Sequence, residues 1–227
     1  HNGSVSLAKK MIKAAKKCGA DVAKFQNAYR DHLFQIKTTA YKVAKKFVLS
    51  DSDYKEIKKY CDKLNIEFMS TPYDLKSVEL LENLKVKRYK VASADVVDMP
   101  LHKKIISTRK PVILSTGMAT IPEIRKTVRF YKQNKMSKLT LLHCVSSYPC
   151  SSKSLNLKSM LRLKKLFNLQ IGYSDHSLGN DAAIMSVGFG ARVIEKHFTI
   201  DKSLPGADHK ISESPKEFSN LIKAIRE

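Results

Sequence analysis

No apolar run in this chain approaches the ~18 to 20 residues that a membrane-spanning helix needs, and no leader-like pattern opens it. Acidic residues are scarce: 21 Asp and Glu face 42 Lys and Arg, for a formal net charge of +21 over 227 residues. Cysteine is sparse too, and Cys18, Cys61, Cys144 and Cys150 form neither a C-x-x-C pair nor a Cys/His zinc spacing. These absences argue against a membrane span, a zinc module and a disulfide framework. Reduced thiols of this kind fit a cytoplasmic protein. An initiator Met is also missing, since the chain opens on His1-Asn2-Gly3, as expected of a processed or shortened sequence.

What is present is an ordinary globular composition, 43% hydrophobic and 28% charged, with lysine spread along it. A nucleic-acid binder gathers its basic residues in one tail or stripe. Here lysines recur in helix after helix, at Lys9, Lys10, Lys13, Lys16 and Lys17, at Lys55, Lys58 and Lys59, and at Lys164 and Lys165. They fall mostly where a helix faces water. That pattern predicts a lysine-biased solvated surface, compatible with a field that steers an anionic substrate, and no nucleic-acid partner.

Periodicity repeats one unit, a short apolar run, a polar turn and an amphipathic helix. Strands are predicted over 20–26, 66–70, 88–93, 111–115, 139–144, 169–174 and 191–197. Helices are predicted over 4–17, 50–64, 75–84, 100–108, 121–134, 155–167, 180–189 and 215–226. Ser50-Asp51-Ser52-Asp53 and Thr120-Ile121-Pro122-Glu123 have the chemistry of helix N-termini. Strict alternation implies a parallel sheet covered by helices, and eight such units in ~250 residues make a (β/α)8 TIM barrel. The expected fold is that barrel over residues 1–227, lacking its first strand. An open doubly wound sheet is the rival.

Each predicted strand ends in residues suited to chemistry: Lys24 and Gln26; Ser70 and Thr71; Lys90, Ser93 and Asp95; Ser115 and Thr116; His143 and Ser146; Ser174, Asp175 and His176; Glu195 and His197. Strand C-termini are where such barrels carry their active sites. Lys24 and Lys90 interrupt apolar strands, and a buried ammonium must find an anion. That anion is either a bound phosphate or carboxylate, with hydroxyls of Ser70, Thr71, Ser93 and Ser115 around it, or an internal Asp or Glu. His176 and His197 end consecutive strands. They are either satisfied structural histidines or a pair able to hold a divalent ion. Cys144 is expected to pack. Leu204-Pro205-Gly206-Ala207-Asp208-His209-Lys210 is a solvated loop or part of a sugar site.

Several ordered motifs resemble the N-acetylneuraminate (sialic acid) synthase family, which includes legionaminic and pseudaminic acid synthases. They include His1-Asn2-Gly3, Ala20-Asp21-Val22-Ala23-Lys24-Phe25-Gln26, Phe68-Met69-Ser70-Thr71-Pro72, Tyr89-Lys90-Val91-Ala92-Ser93 and Leu114-Ser115-Thr116-Gly117-Met118. Leu142-His143-Cys144, Tyr148-Pro149, Gly172-Tyr173-Ser174-Asp175-His176, Val193-Ile194-Glu195-Lys196-His197-Phe198 and Leu204-Pro205-Gly206-Ala207-Asp208-His209 complete the match across nearly the whole chain.

The resemblance implies a barrel that condenses phosphoenolpyruvate with N-acetylmannosamine or a related amino sugar, using a divalent metal, Mn2+ or alternatively Mg2+. It maps phosphoenolpyruvate contacts onto Lys24, Thr71, Lys90, Ser93, Ser115, Ser146 and Ser174, and sugar contacts onto Gln26, Tyr148 and Asp208. His176 and His197 become metal ligands and, with Asp95, catalytic residues. A homodimer is also compatible with the family. The chain departs from the pattern in lacking a first strand that ends in Glu and a C-terminal antifreeze-like domain. Some members have Glu at the position of Asp95 and Asn at that of Ser146, and the segment between Gln26 and Leu49 is shorter. Two alternatives follow: an inactive barrel that binds phosphoenolpyruvate or a phosphosugar, and another aldose–phosphoenolpyruvate condensing barrel.

Overall fold

The computed structural model describes residues 1–27, 47–136, 138–206 and 208–227. The segment between Gln26 and Leu49, expected to border a sugar site, lies largely outside the described residues. Strands and helices alternate as the periodicity predicts: α1 (Val5–Lys17), β1 (Val22–Asn27), α2 (Asp51–Lys63), β2 (Glu67–Pro72), α3 (Leu75–Asn83), β3 (Tyr89–Val91) and α4 (Met99–Ser107). Then come β4 (Val112–Ser115), α5 (Ile121–Gln133), β5 (Leu139–Cys144), α6 (Ser159–Phe167), β6 (Gln170–Asp175), α7 (Asp181–Gly188), β7 (Ile194–Lys196) and α8 (Pro215–Arg226).

The helix starts follow from local chemistry. The Ser50 amide donates to Asp53 Oδ2 at 2.8 Å and its hydroxyl accepts from the Asp53 amide at 3.2 Å, closing a capping box on α2. Glu123 accepts from the Thr120 amide at 2.7 Å at the head of α5, where Pro122 occupies the first turn. Inside α1, Ala8, Ile12 and Ala15 recur at helical spacing and are the residues it buries. One boundary moved. The helix predicted from Leu155 begins at Ser159, because Asn156 adopts a left-handed backbone (φ 46°) that breaks the helical path. Strands β3 and β7 are also shorter than expected, since Ser93 already belongs to a short 3-10 turn and the ladder of β7 starts at Ile194.

All strand pairs are parallel and follow chain order, β1 with β2 and β3 through β7 in sequence, with β2 lying beside β3. Seven strands laid flat would hold β1 and β7 about 29 Å apart, at ~4.8 Å per spacing. Yet Lys24 of β1 reaches Glu195 of β7 at 2.9 Å. The sheet is therefore curled into a (β/α)8-type barrel, and an open doubly wound sheet is excluded.

Side chains alternate across each strand, so the curl separates two populations. Phe68, Tyr89, Val91, Leu114, Leu141 and Ile171 face outward into the main core under the helices. Met69, Ile113 and Leu142, with Val22 and Val193 against them, face inward as an apolar floor. Gly172 sits in that floor, where an added Cβ would come within 2.3 Å of the Val193 carbonyl and 2.6 Å of Leu142 Cδ2. Only glycine lets β6 and β7 approach this closely. Gly172→Ala is expected to lower unfolding free energy by about 1–3 kcal/mol, seen as an earlier urea midpoint; an unchanged midpoint would show that the floor can relax.

Candidate active site

Two residues beyond the floor, toward the strand C-termini, the inward positions become polar. Lys24 follows Val22, Lys90 lies on β3, Ser115 follows Ile113, Ser174 follows Gly172 and Glu195 follows Val193. They converge on one carboxylate. Lys24 Nζ lies 2.9 Å from Glu195 Oε2 and Lys90 Nζ 3.8 Å from Oε1, while the Ser174 hydroxyl donates to Oε1 at 2.8 Å. Lys90 Nζ also donates to Ser115 Oγ at 2.7 Å and to the Val91 carbonyl at 3.0 Å. Glu195 is thus an internal anion for both lysines. Two ammonium groups nevertheless share it, so the layer keeps an excess positive charge.

Electrostatics follow from that arrangement. The Lys90 ammonium is lowered to about 8, chiefly by burial and further by Lys24, against the upward pull of Glu195. Burial alone would raise the Glu195 carboxyl, but Lys24 and Lys90 overcome it and hold the group well below the usual range. Asp95, on the turn after β3, is raised to about 6 by burial and by Asp98, against the pull of Lys90. Its buried Oδ2 has no hydrogen-bond partner among the described residues.

Above this layer His176 and His197 extend from β6 and β7 with ring centroids 5.6 Å apart, and Tyr148 lies 4.2 Å and 5.8 Å from them. The Val145 carbonyl can only accept, so His176 Nδ1, 2.8 Å from it, carries the proton and Nε2 keeps its lone pair. Burial lowers both imidazoles, favouring the neutral, ligating form. Asp208 Oδ2 stands 3.7 Å from His197 Nδ1. The hydroxyls of Ser93 and Ser146 meet at 3.3 Å on the rim. Gln26 and Thr71 are a register pair two residues beyond Lys24, Thr71 buried and Gln26 exposed.

Three strand-end residues belong elsewhere. Ser70 shares the outward parity of Phe68, so it is not among the neutral donors expected around the lysines. His143 faces the helices, its Nε2 2.7 Å from the Leu155 carbonyl and its ring stacked on Tyr173. Asp175 pairs with Lys196 at 2.6 Å behind the sheet. Cys144 is buried and its sulfur accepts from the Gly117 amide at 3.1 Å, as its expected packing role requires. Conversely, the charge-balancing part of Glu195 was not legible beforehand, nor was the proximity of Tyr73, whose phenol is raised by burial and by Asp95, Tyr148, Glu195 and Asp208. The signal for Glu195 was its place midway between Val193 and His197, on their face.

An inward polar layer at the strand C-termini of a curled parallel sheet defines a barrel enzyme with a cationic mouth. The chain belongs to the NeuB family, whose model matches residues 11–227. It is 45% identical over 226 residues to an uncharacterized protein of Methanocaldococcus jannaschii, covering 100% of this chain and 67% of that one. It is 42% identical over 245 residues to the N,N'-diacetyllegionaminic acid synthase of Legionella pneumophila, covering 100% of this chain and 69% of that synthase. The crystal structure of N-acetylneuraminic acid (sialic acid) synthetase from Leptospira borgpetersenii in complex with citrate superposes with a TM-score of 0.95 at 35% identity, over 100% of this chain and 79% of that one. The chain is thus an N-acetylneuraminate synthase-like transferase, and the family resemblance read from its motifs is borne out. No helix among the described residues is long and apolar enough to cross a membrane.

Glu195→Gln would leave two ammonium groups without their carboxylate, and a loss of about 3 kcal/mol at pH 7 is expected in chemical denaturation. The folded carboxyl titrates below its ordinary 4.5. Its contribution is therefore complete above that value and is lost as pH falls through the depressed one. The gap between parent and variant should narrow progressively below about pH 4.5; a constant gap would mean that the deficit is steric.

Proposed function

We propose that this chain condenses phosphoenolpyruvate with the open-chain form of an N-acylated amino sugar, giving a sialic acid-type nonulosonate and phosphate. The observation that carries this is the two-lysine, one-carboxylate layer lying directly beneath two neutral imidazoles. Phosphoenolpyruvate presents a carboxylate and a phosphate, and Lys24, Lys90, Ser115 and Ser174 offer ammonium and hydroxyl donors for them. Thr71, Ser93 and Ser146 extend the donor set along the rim, while Gln26, Tyr148 and Asp208 stand where the sugar would enter. Names of relatives support the same class, since both the Legionella and Leptospira proteins are acid synthases of this kind.

A divalent ion, Mn2+ or Mg2+, suits His176 and His197: the Nε2 lone pair of His176 is free of its own proton, and both rings are held neutral by burial. Among the described residues no third His, Cys, Asp or Glu joins them, which leaves the remaining positions to substrate and water. When bound, the ion supplies Lewis acidity to the sugar aldehyde. The protein's own part is positioning and charge. The lysines hold the phosphoenolpyruvate so that its methylene carbon faces the aldehyde. Carbon–carbon bond formation leaves positive charge on the phosphate-bearing carbon. Water adds there, and phosphate departs with cleavage of that carbon–oxygen bond. Asp95, poised at about 6, takes the first proton the added water sheds and passes it to the alkoxide left on the former aldehyde oxygen, and the second proton goes to the departing phosphate as the new hydroxyl collapses to the ketone.

Phosphate release from phosphoenolpyruvate with Mn2+ is expected to depend on added N-acetylmannosamine or a diacetamido-trideoxyhexose. Lys90→Ala should raise the KM for phosphoenolpyruvate about 10- to 100-fold, the loss of a charge-assisted hydrogen bond, and His197→Ala should abolish release. If phosphoenolpyruvate binds with Lys90 dependence but no sugar releases phosphate, the inactive-barrel alternative holds instead. Affinity for phosphoenolpyruvate should be level below about pH 8 and fall above it, as Lys90 loses its proton. A level profile through pH 9 would remove Lys90 from the anion contacts.

A further inference from the structure

Behind the site, on the helix-facing side of β6 and β7, three charged side chains are buried together. Lys196 Nζ lies 2.6 Å from Asp175 Oδ2 and 3.4 Å from Glu213 Oε1, with all three side chains no more than 2% exposed. The same ammonium donates to the carbonyls of Ser177 and Gly179, each at 2.7 Å. Asp175 Oδ1 in turn accepts from the Ser177 amide at 2.9 Å and the Ser177 hydroxyl at 2.7 Å. The backbone immediately around His176 is thus wrapped about one ammonium. Glu213 holds the other strand: its amide donates to the His197 carbonyl at 2.9 Å, and its carbonyl accepts from the Thr199 amide at 3.0 Å. One lysine side chain therefore ties down the main chain on both sides of the two histidines, yet its alternation points it away from the site.

We propose that Lys196 is the positioning residue that sets the spacing of His176 and His197, acting through Asp175 and Glu213 without touching ligand. This rests on the metal-binding role proposed above for the two histidines. Buried ionic groups are costly, and replacing them with apolar residues is often neutral for stability. Geometry imposed on ligands from behind is a use that bulk stability does not explain.

The test uses Lys196→Met and the charge-free Asp175→Asn/Lys196→Met/Glu213→Gln variant, with histidine imidazole resonances read in the metal-free protein. His102 is the internal control, because its ring is locked 2.9 Å from Tyr131 Oη and 3.0 Å from the Val96 carbonyl, in a buried network on α4. Expected are displaced or broadened His176 and His197 signals with His102 unmoved, and Mn2+ affinity reduced tenfold or more by titration calorimetry. Unchanged His176 and His197 signals in a variant that retains His102 would overturn the proposal. So would loss of the His102 signal in both variants, since the cluster would then hold the whole barrel and not this pair. If the parent itself fails to bind Mn2+, the metal role falls, and the imidazole signals still decide whether Lys196 positions the pair.

Discussion

The structure depends on one shared carboxylate. Glu195 is the point at which the first and last described strands meet, and without an anion there the lysines of β1 and β3 would face each other across the barrel interior. Like charges brought together within a barrel repel, and the more strongly the less water stands between them. Glu195 offsets that repulsion by pairing with both. It does so incompletely, because one carboxylate cannot neutralise two ammonium groups. The residual positive charge is what the proposed anion contacts rest on.

The apolar floor beneath is as necessary as the charge above it. Met69, Ile113, Leu142, Val22 and Val193 form the apolar base of the barrel beneath Lys90, which is buried, and Lys24, which stays partly exposed. Gly172 keeps that floor thin, letting β6 and β7 come close enough for Ser174 to reach Glu195. Consecutive residues of β7 then do opposite work. Glu195 and His197 face the mouth, while Lys196 between them anchors the loops from behind.

Much of this was legible in the sequence, and the limit of legibility has a physical form. Periodicity located all seven strands of the described residues, because buried parallel strands and amphipathic helices impose distinct spacings that survive in single sequences. Lys24 and Lys90 stood out as polar interruptions of apolar strands. What failed was the assignment of strand ends by proximity alone. Ser70, His143 and Asp175 lie as near the C-termini as Thr71, Cys144 and Ser174, but on the opposite face. Applying the two-residue alternation from the floor residues upward would have separated them. The partner of the lysines was harder to foresee, since a bound anion and Glu195 satisfy the same electrostatic demand. Only the curl of the sheet, which is not a local property, brings β1 and β7 together.

The lysine-rich exterior and the interior layer have different physical reach. At physiological ionic strength charges are screened within about 8 Å. Surface lysines such as Lys10, Lys13 and Lys17 therefore act on the approach of an anion and contribute little to its retention. Retention falls to Lys24 and Lys90, which sit within low-dielectric walls where screening is weak. A chain of this net charge attracts many anions to its surface. Any selectivity among them has to come from the interior, where the donors are few and fixed by strand geometry.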